Sequence, residues 1–197
     1  MSITRLTDSF EISANEVLVV GFAQTDSSYE LLESALPIDP SLKLQINQAI
    51  KLTSFSGKKS EVAFLTINSG VLCVGLGKIE KTQPIDLETL RRAAGTASRS
   101  LAGKKSALFA LPNKNLSQTH AVVMGVELGA YSFQEFKTKK DDNSYLKFTI
   151  VFNPIGEPTK SKDNVLSKNP GSGLVKSGEI TLGTTKLEYH IIGLNQL

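Results

Sequence analysis

The chain has 197 residues, 40% of them hydrophobic, and its 22 Lys and Arg against 19 Asp and Glu give a formal charge of +3. That length suits one domain with appendages rather than two full cores. The basic residues are dispersed apart from Lys137–Lys140 and the tail, which excludes an evident nucleic-acid-binding stripe, and a single cysteine excludes an internal disulfide or a multi-cysteine metal site.

Read from the start, "MSITRLTDSFEIS" lacks the uninterrupted apolar core of a signal peptide, and no run approaches the ~18 apolar residues of a membrane span. The expectation is a cytoplasmic, soluble protein without a membrane partner. "EVLVVGF", Glu16 to Phe22, is a short apolar run rich in β-branched residues and predicts a buried strand. After Pro37 and Pro40, the spacing of Leu42, Leu44, Ile46 and Ile50 is ambiguous, but Ser41 as a cap predicts a short helix to about Leu52.

"EVAFLTINSGVLCVGLG" reads as a β-hairpin with arms Val62–Ile67 and Val71–Leu76, because Asn68-Ser69-Gly70 tolerates the positive φ of a tight turn. Cys73 lies within the second arm and reads as a buried small hydrophobe rather than a nucleophile. Pro84 and Asp86 then open an amphipathic helix. Leu87, Leu90, Ala94, Ala97 and Leu101 recur at steps of three and four, Glu88, Arg91, Arg92 and Arg99 lie largely off that stripe, and Gly103 stops the helix.

"SALFALP", Ser106 to Pro112, predicts another buried strand. A second helix is expected from near Ser117, with Val122, Val126, Gly129, Phe133 and Phe136 on one face and Gly125 and Gly129 placed for close backbone packing. Tyr145 to Asn153 reads as a strand. The following "NPIGEPTKSKDNVLSKNPGSG" has the composition of a linker, and beyond it two weak strands are expected around Glu179–Leu182 and Leu187–Ile192, joined through Gly183. The expected organisation is an α/β domain over residues 1–152, a Pro/Lys/Ser/Gly-rich linker over 153–173 and a short β-rich segment of unassigned role over 174–197. Strands alternating with helices, plus one hairpin, indicate a mixed sheet with helices on its faces.

The most site-like motif is Gly75-Leu76-Gly77-Lys78, which follows a strand and precedes a helix. A phosphate-binding turn would converge backbone N–H groups on an anion beside a helix N-terminus. Here G-x-x-x-x-G-K-[ST] is absent, the third glycine of G-x-G-x-x-G would fall at Glu80, and the helix begins about eight residues late behind an acidic cap at Asp86. The stretch therefore reads as a structural strand-end turn, with Gly75, Gly77 and Lys78 kept as an alternative phosphate site. His120 and His190 stand on different segments without a second ligand at useful spacing, His120 reading as a surface or cap-region residue, so no metal site is assigned. Neither G-x-S-x-G nor H-E-x-x-H occurs. Glu127, Glu135, Asp141 and Asp142 read as solvated acids, and no catalytic residue is assigned.

"VGLGK", then "LETLRRAAGTASRSLAGKKSALFALP", then "GVELGAYSFQEFKTKK" resemble, in content, order and spacing, the N-terminal domain of the leucyl (cytosol) aminopeptidases, and "FSGKKSEVAFLTINSGVLCVGLGK" fits the same pattern. The resemblance covers roughly Asn15 to Phe152. It implies a macro-domain-like, three-layer α/β/α sandwich with a mixed sheet, in which Gly75, Gly77, Lys78, Gly95, Gly129, Tyr131 and Lys137 are scaffold. It also implies that two divalent metals, Zn or Mn, belong to a following catalytic domain bearing a segment of the type N-T-D-A-E-G-R, which this sequence lacks. The chain alone is then expected to be inactive, with a catalytic domain or homo-oligomer contacts as its partners. Three readings stay open: a non-catalytic domain serving assembly or active-site access, a stand-alone module binding a nucleotide or ADP-ribose near Gly75–Lys78, and a part of a complete aminopeptidase.

Overall fold

The computed structural model describes residues 3–8, 10–13, 15–68, 70–80, 83–130, 147–152, 175–182 and 185–192. The chain divides into two compact units, Met1–Gly156 and Glu157–Leu197.

The first unit is built on strands β1 (Ile3–Thr7), β2 (Glu16–Gln24), β3 (Tyr29–Leu31), β4 (Val62–Leu65), β5 (Val71–Lys78), β6 (Ser106–Ala110) and β7 (Lys147–Val151), with helices α1 (Pro40–Ile50), α2 (Leu87–Ser100) and α3 (Leu116–Ala130) between them. The sheet order is β1-β7-β6-β2-β5-β4, and β3 pairs with β2. The pairings from β1 through β5 are parallel, whereas β4 and β3 join antiparallel, so the sheet is mixed.

The near-continuous apolar run of β2 follows from this position. Val17 to Phe22, apart from Gly21, are at most 1% exposed, because β2 is covered along both edges and on both faces. Leu18, Val20 and Phe22 join α1's Leu42, Ile46 and Ile50 in one hydrophobic cluster, while α2 packs on β5 and α3 on β7. Phe22, Tyr29 and Phe55 meet edge-to-face with ring centroids 5.4–5.8 Å apart, an arrangement that adds to the gain from burial.

Local chemistry sets the element ends. The expected cap of α1 is corrected: Asp39 rather than Ser41 caps it, its carboxylate accepting from the N–H groups of Ser41 and Leu42 at 2.9 and 3.1 Å, with Pro40 just inside the helix. Asp86 caps α2 by accepting from Thr89 N–H at 3.0 Å. Glu88 in the first turn and Arg99 in the last complement the helix dipole. The hairpin β4–β5 turns with Asn68 at φ 50°, and its first arm ends at Leu65 rather than Ile67.

The strands β1 and β3 were not foreseen. β1 is an edge strand of mixed polarity, and β3 has only three residues. In the second unit, β8 (Val175–Leu182) and β9 (Thr185–Ile192) form a two-stranded antiparallel sheet that contains both expected strand segments. Tyr131, Phe133, Glu135, Phe136, Lys137, Asp141, Asp142 and the linker 153–173 lie outside the described residues.

Candidate functional site at the glycine-rich strand end and the outer helix face

Gly75-Leu76-Gly77-Lys78 is not a turn: it is the last half of β5. The reason is a non-local neighbour, the irregular segment 57–60, which lies along this half of the strand. Gly75 N–H donates to the Glu61 carbonyl at 2.8 Å, Ser60 N–H donates to the Gly75 carbonyl at 3.0 Å, and Gly77 N–H donates to the Gly57 carbonyl at 2.9 Å. A Cβ at Gly75 would sit 2.0 Å from the Lys58 carbonyl oxygen, and one at Gly77 would sit 2.5 Å from Lys59 Cγ. Gly77 also holds φ 78°, the left-handed region that a side chain disfavours.

Glu61 clamps segment 57–60 in place. Its carboxylate accepts from Ser56 N–H at 3.1 Å, from Ser56 Oγ at 2.9 Å and from Lys58 N–H at 3.0 Å. Partial burial works against its charged form, but these hydrogen bonds and the Lys58 charge outweigh it and hold the carboxyl below the ordinary glutamate range. Lys78 Nζ donates to Asp26 Oδ1 at 2.8 Å, with both side chains largely exposed. This hydrogen bond, with the accompanying charge attraction, raises the lysine and lowers the aspartate. Such an exposed pair adds little to stability. The two glycine amides thus serve the chain's own carbonyls, and the nearest helix, α2, starts nine residues after Lys78 (87 − 78) with its Thr89 amide taken by Asp86.

Sequence reasoning missed a second polar cluster, at the other side of the strand ends. Asn113 is 1% exposed; its Nδ2 donates to the Val151 carbonyl at 2.9 Å and to Thr119 Oγ1 at 3.0 Å, and its Oδ1 is buried with no hydrogen-bond partner among the described residues. Gln118 donates to the Ile85 carbonyl at 2.9 Å and accepts from Lys114 N–H at 2.8 Å. These amides tie the approach to α2, the start of α3 and the end of β7 together. The only sequence cue was the run Pro112-Asn113-Lys114-Asn115 between a strand and a helix.

On the outer face, α2 and α3 run side by side in the same direction, because Gly125 meets Arg91 and, one turn on, Gly129 meets Gly95. A Cβ at Gly125 would lie 2.2 Å from the Arg91 carbonyl oxygen, and one at Gly129 would lie 2.4 Å from that of Gly95. Ser98 Oγ donates to the Val126 carbonyl at 2.9 Å across the same contact. Above it lies an open groove of about 340 Å³ lined in part by Arg91, Arg92, Arg99 and Leu128. Glu88 accepts from Arg92 Nε at 2.6 Å and from Arg91 Nε at 2.8 Å, and the arginines, Arg92 first, lower its carboxyl.

The other candidates are separated. Cys73 is fully buried in β5, and desolvation pushes its thiol up to about 12. His120 lies in α3, partly buried, and His190 lies in β9 of the other unit. Glu127 accepts from Thr4 Oγ1. Among the described residues no three of His, Cys, Asp and Glu come together as a metal site, and Asp26, Asp39, Glu61, Asp86 and Glu88 are each engaged by chain donors. The described carboxylates therefore do not form the donor cluster that a two-metal centre needs.

Residues 17–140 match the cytosol aminopeptidase family, N-terminal domain. A probable cytosol aminopeptidase of Streptomyces coelicolor is 37% identical over 128 residues, covering 62% of this chain and 25% of that protein. Another, of a Cyanothece species, is 31% identical over 154 residues, covering 73% of this chain and 30% of that protein. The chain therefore spans about a quarter of the length of the Streptomyces coelicolor relative. A solved tomato leucine aminopeptidase mutant shares the fold with a TM-score of 0.55 at 16% identity, covering 80% of this chain and 34% of the other. Through its N-terminal domain, this chain belongs to the cytosol aminopeptidase family.

Proposed function

We propose that the chain serves as the N-terminal domain of a cytosol aminopeptidase, contributing to assembly or to active-site access rather than to hydrolysis itself. The observation that carries this reading is the use made of Gly75 and Gly77: their amides hold segment 57–60 against β5, so the most ligand-like motif of the sequence serves as packing. In this reading residues 1–152 are the domain, 153–173 a linker and 174–197 an addition of unassigned role. Two divalent metals, zinc or manganese, belong to a catalytic domain that follows in the family, and that domain or further copies of the chain are the partners. The setting is cytosolic, in keeping with the names of the relatives; among the described residues no helix is long and apolar enough to cross a membrane.

The test is hydrolysis of leucine p-nitroanilide by the purified chain with added manganese or zinc. The reading predicts no release of nitroaniline above the metal-only control. Turnover that scales with chain concentration and is removed by chelation would refute it, because hydrolysis by two metals needs a ligand set that activates water and polarises the carbonyl.

A further inference from the structure

The outer face of α2 and α3 combines two rows. Along α2, Arg91, Gly95 and Arg99 recur at four-residue steps, and along α3, Leu116, His120, Met124 and Leu128 do the same. Leu116, Met124 and Leu128 are 40%, 42% and 57% exposed, well above what burial of an apolar helix face would leave. Between the rows lie Gly95 and Gly125, buried where the two helix backbones meet at the base of the groove.

The charges are unbalanced. Glu88 is shared between Arg91 and Arg92, and Arg99 is held among the described residues by one hydroxyl, Thr96 Oγ1, at 3.4 Å. On α2 three guanidiniums stand against one carboxylate, beside an α3 side that exposes Leu116, Met124 and Leu128 together with Glu127, which accepts from Thr4. Arg91 and Arg99 are eight residues apart, about 12 Å along the axis at the helical rise. A single small anion cannot bridge that span, and a phosphodiester backbone makes no use of the leucine and methionine row. Arginine and methionine are both enriched where proteins dock.

We propose that this groove binds an acidic, amphipathic helical segment of a partner protein, whose carboxylates two turns apart meet Arg91 and Arg99 while its apolar side chains lie on Met124 and Leu128. Glu88 holds the Arg91 and Arg92 guanidiniums in position. The charge pairs set register and the apolar row supplies the contact area.

Fluorescence anisotropy of the full chain with a labelled helical peptide tests this directly, the peptide carrying two glutamates two turns apart flanked by leucines. The expected result is saturable, salt-sensitive binding that weakens about tenfold in an Arg91→Glu, Arg99→Glu double variant, the size of two exposed ion pairs, and about fivefold or more in Leu128→Asp. A lysine-for-glutamate peptide is not bound. Unchanged urea midpoints establish that the variants are folded, and Arg99→Gln alone supplies a milder variant. Absence of saturable binding, indifference to both variants, tighter binding of a DNA duplex at equal salt, or self-association through the same residues in light scattering would each overturn the proposal.

Discussion

Replacing Gly125 by alanine adds one methyl group at the closest point of the α2–α3 contact. That Cβ would lie 2.2 Å from the Arg91 carbonyl oxygen and 2.9 Å from Ala94 Cβ. Bringing the first contact out to ordinary van der Waals distance requires the helices to part by about 1 Å, and a gap of that size forfeits much of the dispersion along the interface. Overpacking of this kind costs about 1–3 kcal/mol. Against it stands alanine's helix propensity, which favours the variant by about 1 kcal/mol. The steric term prevails, for a net loss of up to about 2 kcal/mol and a fall in melting temperature of up to about 8 °C. Gly103→Ala is the control. Its Cβ meets nothing within 4 Å, but φ is 82°, so it costs about 1 kcal/mol through backbone strain alone. Thermal unfolding by circular dichroism reads both. If Gly125→Ala melts at or above the parent temperature, the glycines do not set the helix spacing and the packing argument is wrong.

Cys73 should resist dithionitrobenzoate at pH 8 in the folded chain and react at once in urea, because burial holds its thiol near 12; rapid labelling under native conditions would place it at the surface. Glu61 gives the fold an acid sensitivity of definite sign. Its folded carboxyl binds a proton less readily than the ordinary value of 4.5, so this contribution is complete above that value and is lost as pH falls through the lower folded one. Glu61→Gln should cost about 1 kcal/mol at pH 7 through its weakened hydrogen bonds and should flatten the urea midpoint's dependence on pH below 4.5. A variant with the parent's acid profile would show that the clamp on segment 57–60 is unimportant.

What could be read directly from sequence was what depends on local pattern. The β2 run and the α2 stripe were legible because one sits at the sheet centre and the other presents a single apolar face. Gly125 and Gly129 were legible as close-packing positions because their spacing places them on one side of a helix. Gly75–Lys78 was misread as a turn because its true neighbour is the segment 57–60, held by Glu61, and no local rule relates glycines in a strand to a loop fifteen to twenty residues earlier. Ser41 was taken for the α1 cap because Pro40 seemed to stand outside the helix, whereas proline fits its first position and leaves the capping role to Asp39. The Asn113 and Gln118 lock was invisible, since its acceptors at Val151 and Ile85 are distant in sequence. The family resemblance rested on the order of several weak pieces, and the match over residues 17–140 supports it.

The most direct test of the account is calorimetric titration of the purified chain with ADP-ribose. With the Gly75 and Gly77 amides bonded to Glu61 and Gly57 carbonyls, the account predicts no saturable heat. Micromolar binding that disappears in a folded Gly77→Val variant would contradict it and make the strand end a ligand site.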